Sequence, residues 1–295
     1  MERYQVHPFH PRQQMRGEDY EIFHYRDTQS RQVPVHHHDF YEVYLFLEGN
    51  VEFVVEGHCY TPRPGDLMLI NPTELHQLRS RSPQEPYERM VLWIAPEHLE
   101  GCSTPQTNLL RCFDNSWEHH SNLIRWDKTQ ENRALSLFHT LLRERSGQGY
   151  GGDVAAQGIW LQLMVEINRL SAVNQTSREL EDRGVQKIRQ ILEYIDRNYN
   201  KKLSLDQLAG EFFISKYYLS HEFQRLVGAS VYRYIIQRRL IVARQMLSAG
   251  ISPTEVNQNC GFGDYSNFYR AFKEEYGISP SDFAGLQRGR TQNST

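Results

Sequence analysis

The histidines His36, His37 and His38 stand in a run, Glu42 follows four residues after His38, and His76 comes later in the segment INPTELH. In an extended strand residues i and i+2 share a face, so His36 and His38 converge on one side and Glu42 continues it. Imidazoles and a carboxylate with open coordination positions suit Fe, Mn, Ni or Zn, and ligand type alone does not separate these metals. The same side chains, with Tyr44 and the nearby Tyr41, Phe46, Phe53 and Tyr60, also suit a planar organic ligand such as a sugar ring. A different chemistry stands near the other end. Lys216, Tyr217, Ser220, His221, Gln224 and Arg225 form one polar set, and Tyr265, Ser266, Asn267, Tyr269, Arg270 and Lys273 a second. Both mix cations, amides and hydroxyls of the kind that meet phosphates and base edges.

Each polar set needs a helix to hold it. Leu219, Phe223 and Leu226 recur at i, i+4 and i+7, and Phe268 and Phe272 at i and i+4, which turns the apolar residues inward and the polar sets outward. Helix starts are predicted at Ser204, Ser215, Ser230, Pro253 and Asp264, as N-caps or an N1 proline, giving about seven helices after Val185. Segments 204–228 and 252–277 repeat one pattern, a short helix, a turn and a longer helix stopped by glycine. Such a duplication reads as two helix-turn-helix units. Between them Val231 to Leu247 forms one long helix with Ile236, Leu240, Ala243 and Leu247 as its inner stripe, a rod that holds the two readers about one DNA turn apart.

The histidines and aromatics sit instead among short strand-like runs between Tyr20 and Ile94: YEIFHY, FYEVYLFLEG, VEFVVEG and DLMLINP. Glu48-Gly49-Asn50 is predicted to close a tight hairpin. Helical periods return over Asn132–Arg145, with Leu135, Phe138 and Leu142 on one face, and over Asp153–Leu170, with Ile159, Leu163 and Ile167. These apolar faces exceed what covering a barrel requires, so the two helices are expected to join a homodimer. The polar stretch SAVNQTSRELEDRG reads as a linker. The expected division is a sensing domain over 1–170, a linker over 171–184 and a DNA-binding domain over 185–290.

Composition narrows the setting. The 295 residues are enough for two domains. Val185 to Arg290 holds 15 Lys/Arg and 10 Asp/Glu, a balance of +5 against a net −3 for the chain, which leaves −8 elsewhere. The basic end is therefore the one to meet a polyanion. No apolar run approaches the roughly 18 residues needed to span a bilayer, and the opening stretch lacks the apolar centre of a secretory signal. Cys59, Cys102, Cys112 and Cys260 form no CxxC pair. A cytoplasmic protein with reduced thiols and no membrane attachment is expected. No nucleophile triad, phosphate loop or paired acid-base motif points to an enzyme.

The segment GFGDYSNFYRAFKEEYGISPSDF resembles the C-terminal signature of the AraC/XylS family of transcription regulators, through the order Gly261, Phe262, Asp264, Phe268, Phe272, Lys273, Gly277 and Pro280. The unit around Ser215 to Phe223 matches as well, and the resemblance runs from Val185 to about Arg290. It implies two reading helices in successive major grooves, with readers at the two polar sets. Two positions depart. Asn257 stands where the family has a small Ala at the crossing of two helices, which is expected to loosen the second unit, and Ala284 replaces an Arg after Phe283, which is expected to remove a phosphate contact. The spacing HxHxxxE before Gly49 resembles the first motif of cupin barrels, where two His and the Glu hold a metal. The second cupin motif is imperfect, with Pro72 four residues before His76, no Gly between them, and Ser80 where Asn is common. AraC-type regulators commonly carry this pattern in barrels that bind an organic effector and no metal.

The expectation is a multidomain α+β chain: a cupin-like antiparallel β-barrel with two helices, followed by an all-α domain. It would act as a transcription activator that binds double-stranded DNA, responds to a small effector and works with RNA polymerase. The effector, a carbohydrate-like metabolite, is expected at His36, His38, Glu42, Tyr44 and His76, with no cofactor. Other readings remain beside this one. A transition metal could sit on His36, His38, Glu42 and His76, in a sensor or in a cupin enzyme fused to the DNA-binding half. A DNA-bending or antagonist protein without a ligand pocket, and a helical bundle that binds protein, are further alternatives.

Overall fold

Nine strands and ten helices form among the residues that a computed structural model of the chain describes, 13–29, 32–116, 120–147, 149–172 and 183–292. They divide into two units, Met1–Leu180 and Glu181–Thr295. The first holds β1 (Tyr20–Asp27), β2 (Val33–His36), β3 (Tyr41–Glu48), β4 (Val51–Val55), β5 (His58–Tyr60), β6 (Leu67–Ile70), β7 (His76–Ser80), β8 (Tyr87–Ile94) and β9 (Leu123–Ile124). They make two antiparallel sheets, ordered β1-β8-β3-β6-β9 and β2-β7-β4-β5.

Strand β3 is apolar on both sides because both sides are covered. Its even-numbered Tyr44 and Phe46 meet Phe53, Val55 and Leu78 of the other sheet, while Val43 and Leu45 meet Phe138, Leu141, Trp160 and Leu163 from the helices. Burying each such side chain contributes roughly 1.5–3 kcal/mol. The helices are α1 (Pro96–Gly101), α2 (Lys128–Ser146) and α3 (Gly152–Ser171), with a 3-10 turn over Arg111–Phe113. The sequence pattern shows only the second and third. Helix α2 begins four residues before the expected start because Asp127 and Gln130 form a capping box that satisfies the first free N–H groups.

The expected hairpin at Glu48-Gly49-Asn50 does not form. Strand β3 pairs with β6 and β8, whereas β4 pairs with β5 and β7, so this step carries the chain from one sheet to the other. Gly49 has φ 135°, and a Cβ there would lie 3.0 Å from the Tyr87 ring, which is why glycine stands at the crossing. The two-residue hairpin is one turn later, at Glu56 (φ 46°) and Gly57 (φ 77°) between β4 and β5. Glu56 tolerates the left-handed conformation with its N–H donating to the Leu75 carbonyl and its carboxylate accepting from the Leu75 N–H.

The second unit is α4 (Arg183–Asn198), α5 (Leu205–Glu211), α6 (Lys216–Val227), α7 (Val231–Ser248), α8 (Pro253–Asn259), α9 (Tyr265–Tyr276) and α10 (Pro280–Gln292). Side-chain oxygens of Ser204, Ser215, Ser230, Ser252 and Asp264 each accept the N3 N–H of the helix that follows, as the start signals require. Gly228 and Gly277 end α6 and α9 with φ 81° and 76°. Of the linker segment, residues 173–182 lie outside those described, and α3 and α4 take its two ends. The single inner stripe expected for α7 is also corrected. Leu240, Ala243 and Leu247 are buried, Ile236 only partly, and Tyr234, Ile235 and Ile241 are buried on other faces. Helix α7 lies in the middle of its unit, against α6, α8, α9 and α10, so more than one face needs apolar cover.

Candidate DNA-reading face and candidate effector site

Helix α6 buries Leu219, Phe223 and Leu226, and α9 buries Phe268 and Phe272. That inward stripe turns Lys216, Tyr217, Ser220, His221, Gln224 and Arg225 to solvent on α6, five of them lining a shallow open hollow. On α9, Tyr265, Ser266, Asn267, Arg270 and Lys273 are exposed and Tyr269 is half-buried.

The two faces differ in how their donors are held. On α6, Glu222 accepts from Arg225 (Nε 2.9 Å, Nη2 2.6 Å) and lies 3.1 Å from His221 Nδ1. The Arg225 hydrogen bond holds the Glu222 carboxyl below the usual carboxylate range. Lys216 Nζ is 2.5 Å from Asp206 on α5, and Tyr217 stacks on His221. On α9 a polar chain runs from the Asp264 cap to Asn267 Nδ2 (2.5 Å) and from Asn267 Oδ1 to Arg270 Nη2 (2.7 Å). Glu222 is absent from the sequence-derived sets, although its spacing of three residues from Arg225 is a pairing signal.

The departures at 257 and 284 fall in the second unit. Asn257 is half-buried in α8, and its Oδ1 is buried with no hydrogen-bond partner. Ala284 is buried with Phe283 in the apolar core beside Phe272, so this position fills the core rather than facing solvent.

In the first unit the structure brings His36, His38, Glu42 and His76 together. His36 on β2 pairs with His76 on β7, their rings 4.2 Å apart, and the His38 ring is 4.9 Å from that of His76. Glu42 enters from β3 with Oε2 3.4 Å from His38 Nε2 and 3.9 Å from His76 Nε2, and its Oε1 accepts the Trp93 indole N–H at 2.9 Å. All four are buried. Each imidazole is oriented by a backbone carbonyl: His36 Nδ1 to Pro34, His38 Nδ1 to Phe40 and His76 Nδ1 to Glu74, at 2.8–3.0 Å. A carbonyl only accepts, so each Nδ1 carries the proton. His76 then presents a bare Nε2 lone pair with no partner, and His38 turns its Nε2 toward the Glu42 carboxylate, 3.4 Å away.

Burial holds His36 down to about 4 and His76 well below the ordinary imidazole value. Burial would raise Glu42, but the hydrogen bonds from His38 and Trp93 and the neighbouring imidazoles together outweigh it and hold the carboxyl below the usual carboxylate range. Tyr44 follows on the same face as Glu42, packs edge-on against Phe53, and keeps its hydroxyl buried without a partner. Of the other aromatics, Phe46 and Phe53 belong to the core between the sheets, Tyr41 packs on Phe113, and Tyr60 donates to Asn122 Oδ1.

Comparison with known proteins agrees with both halves. Residues 19–164 match the model of the AraC-like ligand binding domain, and residues 208–285 match a helix-turn-helix domain. The HTH-type transcriptional activator RhaS of Salmonella arizonae is 27% identical over 269 residues, covering 87% of this chain and 88% of that protein. RhaS of Yersinia pestis is 26% identical over 251 residues, with coverages of 84% and 88%. The fatty-acid-bound structure of ToxT from Vibrio cholerae aligns with 92% of this chain and 97% of its own, at 14% identity and a TM-score of 0.40. With duplicated helix-turn-helix units behind a ligand-binding unit, and regulators rather than enzymes as its relatives, the chain belongs to the AraC/XylS family of DNA-binding transcription regulators.

Proposed function

We propose that this regulator is a cytoplasmic homodimer that activates transcription with RNA polymerase when a small, carbohydrate-like effector binds its first domain. The domains proposed are 1–170 for sensing and dimerisation, 171–184 as linker, and 185–290 for DNA, with the two outward sets on α6 and α9 as the readers. The observation that carries the effector reading is a pair of buried polar atoms without partners, Tyr44 Oη and His76 Nε2, near an ionised Glu42. Buried polar groups are nearly always satisfied, so such atoms mark where a hydroxyl-bearing ligand gains hydrogen bonds. Its effect on DNA binding comes from differential affinity for two arrangements of the protein. The experiment is a thermal-shift screen of the full chain against sugars and their derivatives. A ligand at a hundred times its Kd adds about 2.7 kcal/mol of stability, and Tyr44→Phe should weaken that shift. A binder whose effect is untouched by Tyr44→Phe and His76→Ala together would remove the effector from this site.

A second reading has its own observation. One ligand atom each from His38, Glu42 and His76 lie within 4.8 Å of one another, all buried. Backbone carbonyls fix both imidazole tautomers so that Nε2 faces the carboxylate, the orientation that metal-binding histidines need. The residues fit a first-row transition metal, with the ring of His36, the fourth expected ligand, tilted at 54° beside that of His76. A bound ion would supply positive charge between Glu42 and the two imidazoles and tie β3 to β7. Elemental analysis of protein purified without a histidine tag decides this reading: one transition metal per chain supports it, and metal-free protein with unchanged stability on chelation refutes it.

A further inference from the structure

Arg239 lies midway along α7 and is 9% exposed. Its Nε donates to the Tyr199 carbonyl and its Nη2 to the Lys201 carbonyl, both at 2.8 Å. Those carbonyls belong to the connection between α4 and α5, at the entrance to the first helix-turn-helix. The guanidinium carbon lies over the ring of Phe262, 5.9 Å from its centroid, in the turn of the second. Beside Phe262, Gly261 takes φ 75°, and a Cβ there would lie 2.5 Å from the Asn200 carbonyl oxygen. Residues 199–201 are thus held both by Arg239 and by the close approach of the glycine turn of the other unit.

This contact is a second connection between the two readers. The first is α7 itself, 18 residues and about 27 Å long, which fixes distance but leaves the turn of each unit about the rod to side-chain packing. Arg239 closes the loop. No carboxylate meets its charge among the described residues, and a buried cation balanced only by carbonyls is costly for stability alone, where a leucine or methionine would pack more cheaply. What an arginine adds is direction, because its planar fork reaches two carbonyls at once.

We propose that Arg239 is a positioning residue that sets the relation between the α6 and α9 reading faces, so that both engage one duplex together. The proposal rests on the reading that both helices contact DNA. It concerns the coupling between the two half-sites and leaves each half-site contact alone. A lysine at this position keeps the charge but offers no fixed fork, and a methionine keeps the bulk and loses both hydrogen bonds.

The test uses the full chain and duplexes selected from a random pool for binding to it. Three probes are made from the best duplex: the intact form, forms with either half scrambled, and forms with one base pair added to or removed from the spacer. Wild-type protein should bind the intact duplex far more tightly than any of the others. Arg239→Met and Arg239→Lys should lose about tenfold or more on the intact duplex, change less than about threefold on the half-scrambled ones, and lose the preference for the original spacer. Gly261→Ala, which presses a methyl against the Asn200 carbonyl, should give the same pattern without touching the guanidinium. Equal losses on intact and half-scrambled duplexes would show a merely structural role and overturn the proposal, as would an unchanged spacer preference. Wild-type protein that does not distinguish intact from half-scrambled duplexes overturns the two-reader reading itself. Should Arg239→Met fail to fold, the lysine and Gly261 variants carry the same comparison.

Discussion

The two helix-turn-helix units share lengths, caps and stops, yet they place their irregularities differently. Each has a 12-residue reading helix with a polar N-cap and a left-handed glycine at its end. The turn before α6 takes its left-handed residue as Phe213, at φ 54° and 95% exposed, where the turn before α9 uses Gly261. In exchange, the second unit holds the orphaned amide oxygen of Asn257 inside. The reading faces diverge as well: α6 carries an acid, Glu222, that engages Arg225, whereas the Arg270 of α9 is held, among the described residues, by the neutral Asn267 and a backbone carbonyl. The scaffold is duplicated, and strain and charge are not. On α6 the arginine is engaged by a carboxylate, and on α9 by a neutral amide.

The comparison can be broken most forcefully at its shared part. Phe223 and Phe268 are both fully buried, so truncation of either to Ala should cost about 3–5 kcal/mol in urea unfolding. A loss confined to one of them would show that the units are not equivalent cores. Next in size, Arg270→Ala should weaken operator binding by roughly 1–3 kcal/mol, while Arg225→Ala costs markedly less because Glu222 already engages it; fluorescence anisotropy on both variants reads the difference, and equal losses would erase the distinction between the faces. Asn257→Ala should then stabilise the chain by about 1 kcal/mol, since it removes a buried acceptor with no partner. Smallest of all, Phe213→Gly should add up to about 1 kcal/mol by relieving a left-handed conformation that a bulky side chain resists. Thermal unfolding checks both, and a destabilised Asn257→Ala would mean that its amide is held by something in solution.

Features that depend on one residue and its near neighbours were readable from the sequence: the capped starts of α5 to α9, the glycine stops, and the polar sets that α6 and α9 turn outward. The gathering of His36, His38 and Glu42 is also legible, because strand alternation and motif spacing suffice for it, and the cupin resemblance adds His76. Pairing between strands was not. β3 has apolar side chains on both faces, so nothing in VYLFL tells which sheet it joins, and Glu48-Gly49-Asn50 has the composition of a hairpin while serving as a crossing between sheets. The buried surface of α7 is wider than the single stripe its periodicity shows, because a helix central to its unit meets neighbours on several sides. In sequence Arg239 is indistinguishable from the other basic residues of α7, although it sits four residues from both Ile235 and Ala243 on a buried line. Imidazole tautomers are invisible in sequence, since backbone carbonyls far from any motif set them.

The hydrogen bond from Trp93 to Glu42 gives this protein a built-in optical gauge. Trp93 sits directly opposite Glu42 in the pairing of β3 with β8, and its indole N–H rests on the carboxylate. Anything that draws charge from that carboxylate, whether sugar hydroxyl or cation, changes the electrostatic surroundings of the indole and so the colour of its emission. In a chain whose other three tryptophans are replaced by phenylalanine, occupancy could be followed by light alone, without label or DNA.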